Sequence, residues 1–187
     1  AFDLPCIIFT SNNYPPKEMI EVADQNGISL LISPHKSTLI TYQLGEYLDG
    51  VFAPTTIVHG SLVDVYGVGM LILGDASVGK SELTLDLIER GHELVADDIV
   101  IVTRTGTNRL QGEPNRVLTH HMEIRGLGII DIKRMFGIRA IRGKKDIEIV
   151  LSLEQVNPEH EYERIGVDEH FIEILDVKVP QVILPLL

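Results

Sequence analysis

Residues 74–82 read GDASVGKSE, a G-x-x-x-x-G-K-S spacing. Glycines at that spacing let successive backbone N–H groups converge on phosphate oxygens, and a following helix adds the partial positive charge of its N-terminus. A lysine in the seventh place reaches the terminal phosphates, and a hydroxyl in the eighth can ligate Mg²⁺. Lys80 and Ser81 occupy those places. Downstream of Ser81, in ELVADD, come Asp97 and Asp98. Two carboxylates beside a phosphate loop can divide the work, one on a metal ion and one on the proton of an attacking group. Other residues offer chemistry less plainly. His59 in TIVHGSLVD sits beside Gly60 between apolar residues, where histidine is more often structural than catalytic. Glu123 and Arg125 in MEIRGLGIID lie two apart and share a face if the chain is extended. Glu123 could complete a metal site and Arg125 could hold phosphate, or the two could form a local ion pair in a turn. Arg164 in YERIG reads as a surface arginine, and His120 and His121 lack the further ligands a zinc site needs.

These residues need elements to position them. An apolar strand, LILGD, runs into the loop, and an amphipathic helix, KSELTLDLIERG, runs out with Leu83, Leu87 and Ile88 on one face and Gly91 as its stop. ELVADDIVIVTRTG reads as one strand ending in a turn, and if it neighbours the loop strand its aspartates meet Lys80. Residues 55–75 read as two strands, MEIRGLGIIDIKRMFGI as a glycine-containing loop leading into an apolar segment, and DIEIVLSLEQ and EILDVKVPQVILPL as further strands. Before these, PCIIFT and ISLLISP read as strands. KEMIEVADQNG and STLITYQLGEYL read as helices, the latter with Ser37 as N-cap, and a short connector lies around Asp49, Gly50 and Pro54.

The chain of 187 residues is 44% hydrophobic with a net charge of −11. So acidic a surface repels nucleic acid and anionic lipid, and neither is expected as a partner. No apolar run approaches the ~20 residues of a membrane helix, and the start lacks a signal-peptide layout. Cys6 is the only cysteine, which excludes an internal disulfide and suits a cytoplasmic home. An initial Ala and a final uncapped apolar run read as part of a longer protein. A GTPase is disfavoured, because no N-K-x-D run is present.

Taken in order, HGSLVDVYG, GDASVGKSE, RGHELVADD, EIRGLGIID and YERIG resemble the HPr kinase/phosphorylase family, EIRGLGIID being the most specific of them. The resemblance implies an α/β fold: a P-loop kinase domain related to phosphoenolpyruvate carboxykinase, with a mixed sheet and helices, preceded by part of a small α/β domain. It places the tail of that N-terminal domain at residues 1–48, a linker at 49–54 and the catalytic domain at 55–187, cut short at its C-terminus. It implies a bifunctional enzyme, which uses ATP or pyrophosphate to phosphorylate a serine of the phosphocarrier protein HPr and removes that phosphate with inorganic phosphate. Carried over by position, His59, Lys80, Asp97, Asp98 and Arg164 are catalytic, with Asp98 favoured as the proton carrier. Gly74, Asp75, Ala76, Ser77, Val78, Gly79, Lys80, Ser81 and Arg125 bind phosphate or ATP, and Ser81, Glu123 and Asp98 hold Mg²⁺ (or Mn²⁺). A homo-hexamer is implied as well. The sequence departs from the family at Ala76-Ser77, where relatives commonly have Ser-Gly, and lacks most of the segment tied to phosphorolysis and the C-terminal helix that helps assembly. A P-loop kinase of a small metabolite and a nucleotide-sensing module without chemistry are the competing readings.

Overall fold

A computed structural model describes residues 4–115, 119–156 and 170–186. Backbone contacts divide the chain into two units, residues 1–52 and 53–187.

The first unit alternates strand and helix: β1 (Cys6–Phe9), α1 (Lys17–Gln25), β2 (Ser29–Ile32) and α2 (Ser37–Val51). β1 and β2 pair in parallel, Cys6 opposite Ser29. Pro16 precedes α1 where no amide hydrogen is needed, and Gly27 turns the chain with φ 66° after its end. Ser37 is not the cap of α2. Lys36 takes that place without a side-chain cap bond, and the Ser37 hydroxyl, already inside the helix, meets Thr10 Oγ1 at 2.7 Å. α2 also continues through Val51, into the stretch expected as a connector.

The second unit begins with three strands where two were expected: β3 (Thr55–His59), β4 (Ser61–Val65) and β5 (Val68–Gly74). Gly60 separates the first two. A Cβ there would fall 2.5 Å from the Ile72 carbonyl oxygen, so only glycine lets β4 start this close to β5. A two-residue turn with Tyr66 at φ 52° and Gly67 at φ 88° separates the other two. α3 (Lys80–Glu89) follows, then β6 (Glu93–Ala96), β7 (Ile99–Thr105), β8 (Arg109–Pro114), β9 (His121–Ile124), β10 (Gly128–Asp131), α4 (Ile132–Phe136), β11 (Lys145–Asp146), β12 (Ile149–Gln155), β13 (His170–Ile174) and β14 (Val177–Leu186). The segment expected as a glycine-containing loop is thus a hairpin, β9–β10, followed by a helical turn.

Two larger sheets result. One has the order β11-β8-β7-β3 and the other β13-β14-β12-β5-β4-β6. The second is mixed: β14, β12 and β5 run parallel, while β4 is antiparallel to both β5 and β6. Pro180 and Pro185 fit inside β14 because the strand pairs with β13 only up to Gln181 and with β12 only from Gln181 onward.

Period-two alternation sorts the apolar residues between two cores. Leu62 and Leu71 join Val95, Val100, Val102 and Leu110 in a cluster drawn from both sheets. Val63 and Ile72, one residue along, join Leu153 beneath Leu83 and Leu87 of α3. Both faces of β4 and β5 are buried, which is why their sequences read as apolar runs. Ile88 turns instead toward Met122, Ile124 and Ile132, tying α3 to the β9–β10 hairpin and α4. Each such fully buried aliphatic side chain contributes roughly 1.5–3 kcal/mol.

Candidate active site

The chain crosses between the two sheets at His59-Gly60 and again at Asp97-Asp98. The crossings touch: the Gly60 amide donates to the Asp98 carbonyl at 3.1 Å. Asp98 takes φ 65°, a left-handed conformation that aspartate tolerates better than most residues. The phosphate loop reaches the same place from the end of β5. β6 is not the neighbour of β5; β4 lies between them. Because β4 is antiparallel to both, the C-terminal ends of β5 and β6 and the start of β4 share one edge of the sheet, and that edge carries the loop and the aspartates together.

The loop is shaped by its backbone. Gly74 has φ 147°, and a Cβ there would lie 2.6 Å from the Leu153 carbonyl oxygen, so β12 presses the loop where it leaves the sheet. Gly79 caps α3 with φ 107°. Ser77, a departure expected from the sequence, is left-handed too, with φ 67°. A left-handed non-glycine residue costs roughly 1–2 kcal/mol, whereas glycine loses some of that gain to its freedom when unfolded. Ser77→Gly is therefore expected to raise the unfolding free energy by up to ~1 kcal/mol. Urea titration checks this, and a clear loss of stability would contradict it. The Lys80 Nζ donates to the Gly74 and Asp75 carbonyls, at 2.8 Å each, and so braces the loop from within.

A cavity of about 470 Å³ opens over this edge. From the loop it takes Gly74, Ala76, Ser77, Gly79, Lys80 and Ser81. Asp97 and Asp98 line it from the second crossing, His59 from the first, and Glu123 and Arg125 from the β9–β10 hairpin. Glu123 stands in β9, opposite Ile129, and Arg125 in the turn that follows. Two expected binding residues do not line the cavity. Val78 packs into the cluster under α3, and Asp75 contributes its carbonyl to Lys80. Arg164 lies outside the described residues. Ser61 and Glu82 line the cavity without having been singled out.

Asp97 is the best-held group. Its carboxylate accepts from Ser61 Oγ at 2.5 Å and from Ser81 Oγ at 3.2 Å. Burial pushes its pKa above the ordinary carboxylate value of 3.8, only partly offset by the bonds from Ser61, Ser81 and the Asp98 backbone, while the neighbouring Asp98 charge adds to the rise. Asp98 is exposed to the cavity.

Glu82, Asp97, Asp98 and Glu123 outnumber Lys80 and Arg125 around the cavity, so a cation accompanying a polyphosphate relieves repulsion there and tightens its binding. Among the described residues no group of three His, Cys, Asp or Glu could hold a metal ion unaided. Mg²⁺ does not require one: it takes one or two protein oxygens and completes its octahedron with phosphate oxygens and water. Ser81, with its proton turned to Asp97, leaves its lone pairs for such an ion. The residues therefore fit a cation that arrives with the phosphates.

The HPr serine kinase C-terminal domain model matches residues 50–187, and the HPr serine kinase N-terminus model matches residues 1–48. The chain belongs to the HPr serine kinase family. It is 48% identical over 185 residues to the HPr kinase/phosphorylase of Prosthecochloris aestuarii, covering 99% of this chain and 54% of that one. It is 46% identical over 187 residues to the HPr kinase/phosphorylase of Chlorobaculum tepidum, covering 100% of this chain and 55% of that one. The chain thus spans about half the length of the curated relatives it matches. Its fold, a mixed α/β P-loop kinase domain, is similar to the solved HPr(Ser) kinase/phosphatase from Coxiella burnetii, with TM-score 0.64 and 32% identity over 70% of this chain and 86% of that one. Among the described residues no helix is long and apolar enough to cross a membrane.

Proposed function

We propose that this chain carries the phosphoryl-transfer site of an HPr kinase/phosphorylase. It moves a phosphoryl group from ATP or pyrophosphate to a serine of HPr, and removes it again with inorganic phosphate. The observation that carries the reading is the convergence of the phosphate loop, Asp97 and Asp98 on one cavity, within a chain of this family. We read residues 1–48 as the tail of an N-terminal domain, 49–54 as a linker and 55–187 as the catalytic domain of a cytoplasmic homo-oligomer.

In the forward direction the loop amides and the α3 N-terminus hold the donor's phosphates. Lys80 leaves the Gly74 and Asp75 carbonyls for the phosphoryl oxygens, where its charge is worth more. Asp98, exposed to the cavity, takes the proton of the HPr serine as its oxygen bonds to phosphorus and the bond to the leaving phosphate breaks. In reverse, an oxygen of inorganic phosphate gives its proton to Asp98 and bonds to the same phosphorus, the bond to serine breaks, Asp98 passes that proton to the serine oxygen, and pyrophosphate leaves. Ser81 and Asp97 would hold Mg²⁺, which neutralises charge on the phosphate oxygens when bound. Arg125 offers a second cation to that charge, and His59 and Glu123 flank the acceptor side. Glu123 remains a candidate ligand to the ion, while the Ser81 contact favours Asp97 over Asp98 for that duty.

The test is partner dependence. ATP consumption should require HPr and fall to background with HPr whose acceptor serine is replaced by alanine. Turnover that ignores HPr would favour a small-metabolite kinase instead.

A further inference from the structure

Ser61 is the first residue of β4 and is 1% exposed. It faces Ile72, two residues before the loop begins at Gly74. The tight approach of Gly60 to the Ile72 carbonyl fixes the backbone at this point, so the serine has little freedom to drift. A hydroxyl buried this deeply must find a partner. Its partner is Asp97 Oδ1, at 2.5 Å, contributed by a crossing 36 residues away. Ser81, on α3, approaches the same carboxylate at 3.4 Å from Oδ1 and 3.2 Å from Oδ2. One carboxylate is thus gripped by two hydroxyls from two elements, both at the cavity wall and the Ser61 one buried.

We propose that Ser61 is a positioning residue: its buried hydroxyl holds Asp97 against Ser81, so that the Ser81 lone pairs face the cavity where a divalent cation and a diphosphate meet. This rests on the phosphate-and-metal reading of the site. Without the Ser61 hydroxyl, Asp97 is free to rotate toward solvent or toward Lys80. Ser81 then loses the acceptor that orients its proton. The loop amides and Lys80 do not depend on this bond, so phosphate binding without metal should survive its removal.

The test is calorimetric binding of pyrophosphate, with and without Mg²⁺, to the wild-type protein and to Ser61→Ala and Ser61→Thr, alongside thermal melting. Ser61→Ala should weaken Mg²⁺-supported binding about tenfold and leave the metal-free affinity unchanged. Ser61→Thr, which keeps the hydroxyl, should stay close to wild type. A Ser61→Ala protein that loses both affinities equally, or neither, would overturn the proposal and leave Ser61 as a packing residue. Should Ser61→Ala fail to fold, Ser61→Cys keeps the size with a far weaker donor; the same selective loss supports the proposal and unchanged Mg²⁺-supported binding overturns it. A wild-type protein that gains no affinity from Mg²⁺ contradicts the site reading itself, before any variant is made.

Discussion

Lys80→Ala should abolish transfer to HPr and its reversal together, each by ~10²–10³-fold or more. Both reactions pass through transition states in which charge builds on the transferring phosphoryl oxygens at the same phosphate site. Lys80 is the cation the loop aims at that point, and its present partners are only the Gly74 and Asp75 carbonyls, at 2.8 Å. Those two bonds brace an exposed loop rather than the core, so the variant should still melt cooperatively near the wild-type temperature. Initial rates in each direction, with a parallel melt, check the expectation. Loss of one direction with survival of the other would mean that the two reactions do not share this phosphate site.

The two aspartates should separate when each is replaced by asparagine. Asp98→Asn keeps the shape and hydrogen-bonding size of the side chain but cannot take a proton. Transfer to HPr should fall by ~10²–10⁴-fold, while Mg²⁺–nucleotide affinity stays near wild type. Asp97→Asn should lose Mg²⁺-supported affinity first, because Asp97 is the carboxylate against Ser81. It should also have an opposite effect on the fold. Burial raises the Asp97 pKa above its ordinary value, so whatever stability this group contributes is present below the unfolded value and is lost as pH rises through the folded one. At neutral pH the wild-type protein carries a half-buried charge that asparagine removes, and Asp97→Asn should melt at a higher temperature than wild type. For the same reason, the stability of the metal-free wild-type protein should fall relative to that of Asp97→Asn as pH rises from the acid side. A variant less stable at neutral pH, or a stability difference that does not change with pH, would contradict this account of Asp97.

The parts of the site that a single stretch of chain encodes were legible before the structure. The strand, loop and helix around Lys80 follow from glycine spacing and apolar periodicity, and the aspartates stand out as paired carboxylates in the apolar stretch after that helix. What could not be read is what depends on partners distant in sequence. Ser61 looked like any serine beginning an apolar strand, and its role depends on Asp97, 36 residues away. The two crossings were hidden because His59-Gly60 and Asp97-Asp98 each interrupt a run of strand-forming residues by only one or two positions. The chain reads through them as one strand, although it changes sheets there. β8 was missed for the opposite reason: Arg109–Pro114 contains a glycine and ends in proline, which argue against a strand, yet its pairing with β7 and β11 overrides that local preference. The Ser37 cap failed because a side-chain contact with Thr10 took the hydroxyl that capping would have used.

The measurement that bears most directly on the central claim is the intact mass of HPr. HPr is incubated with this protein, Mg²⁺ and ATP, and inorganic phosphate is then added. HPr should gain one phosphoryl group and then lose it after phosphate addition, with pyrophosphate appearing as the group leaves. HPr that never gains mass while the protein binds ATP would contradict it.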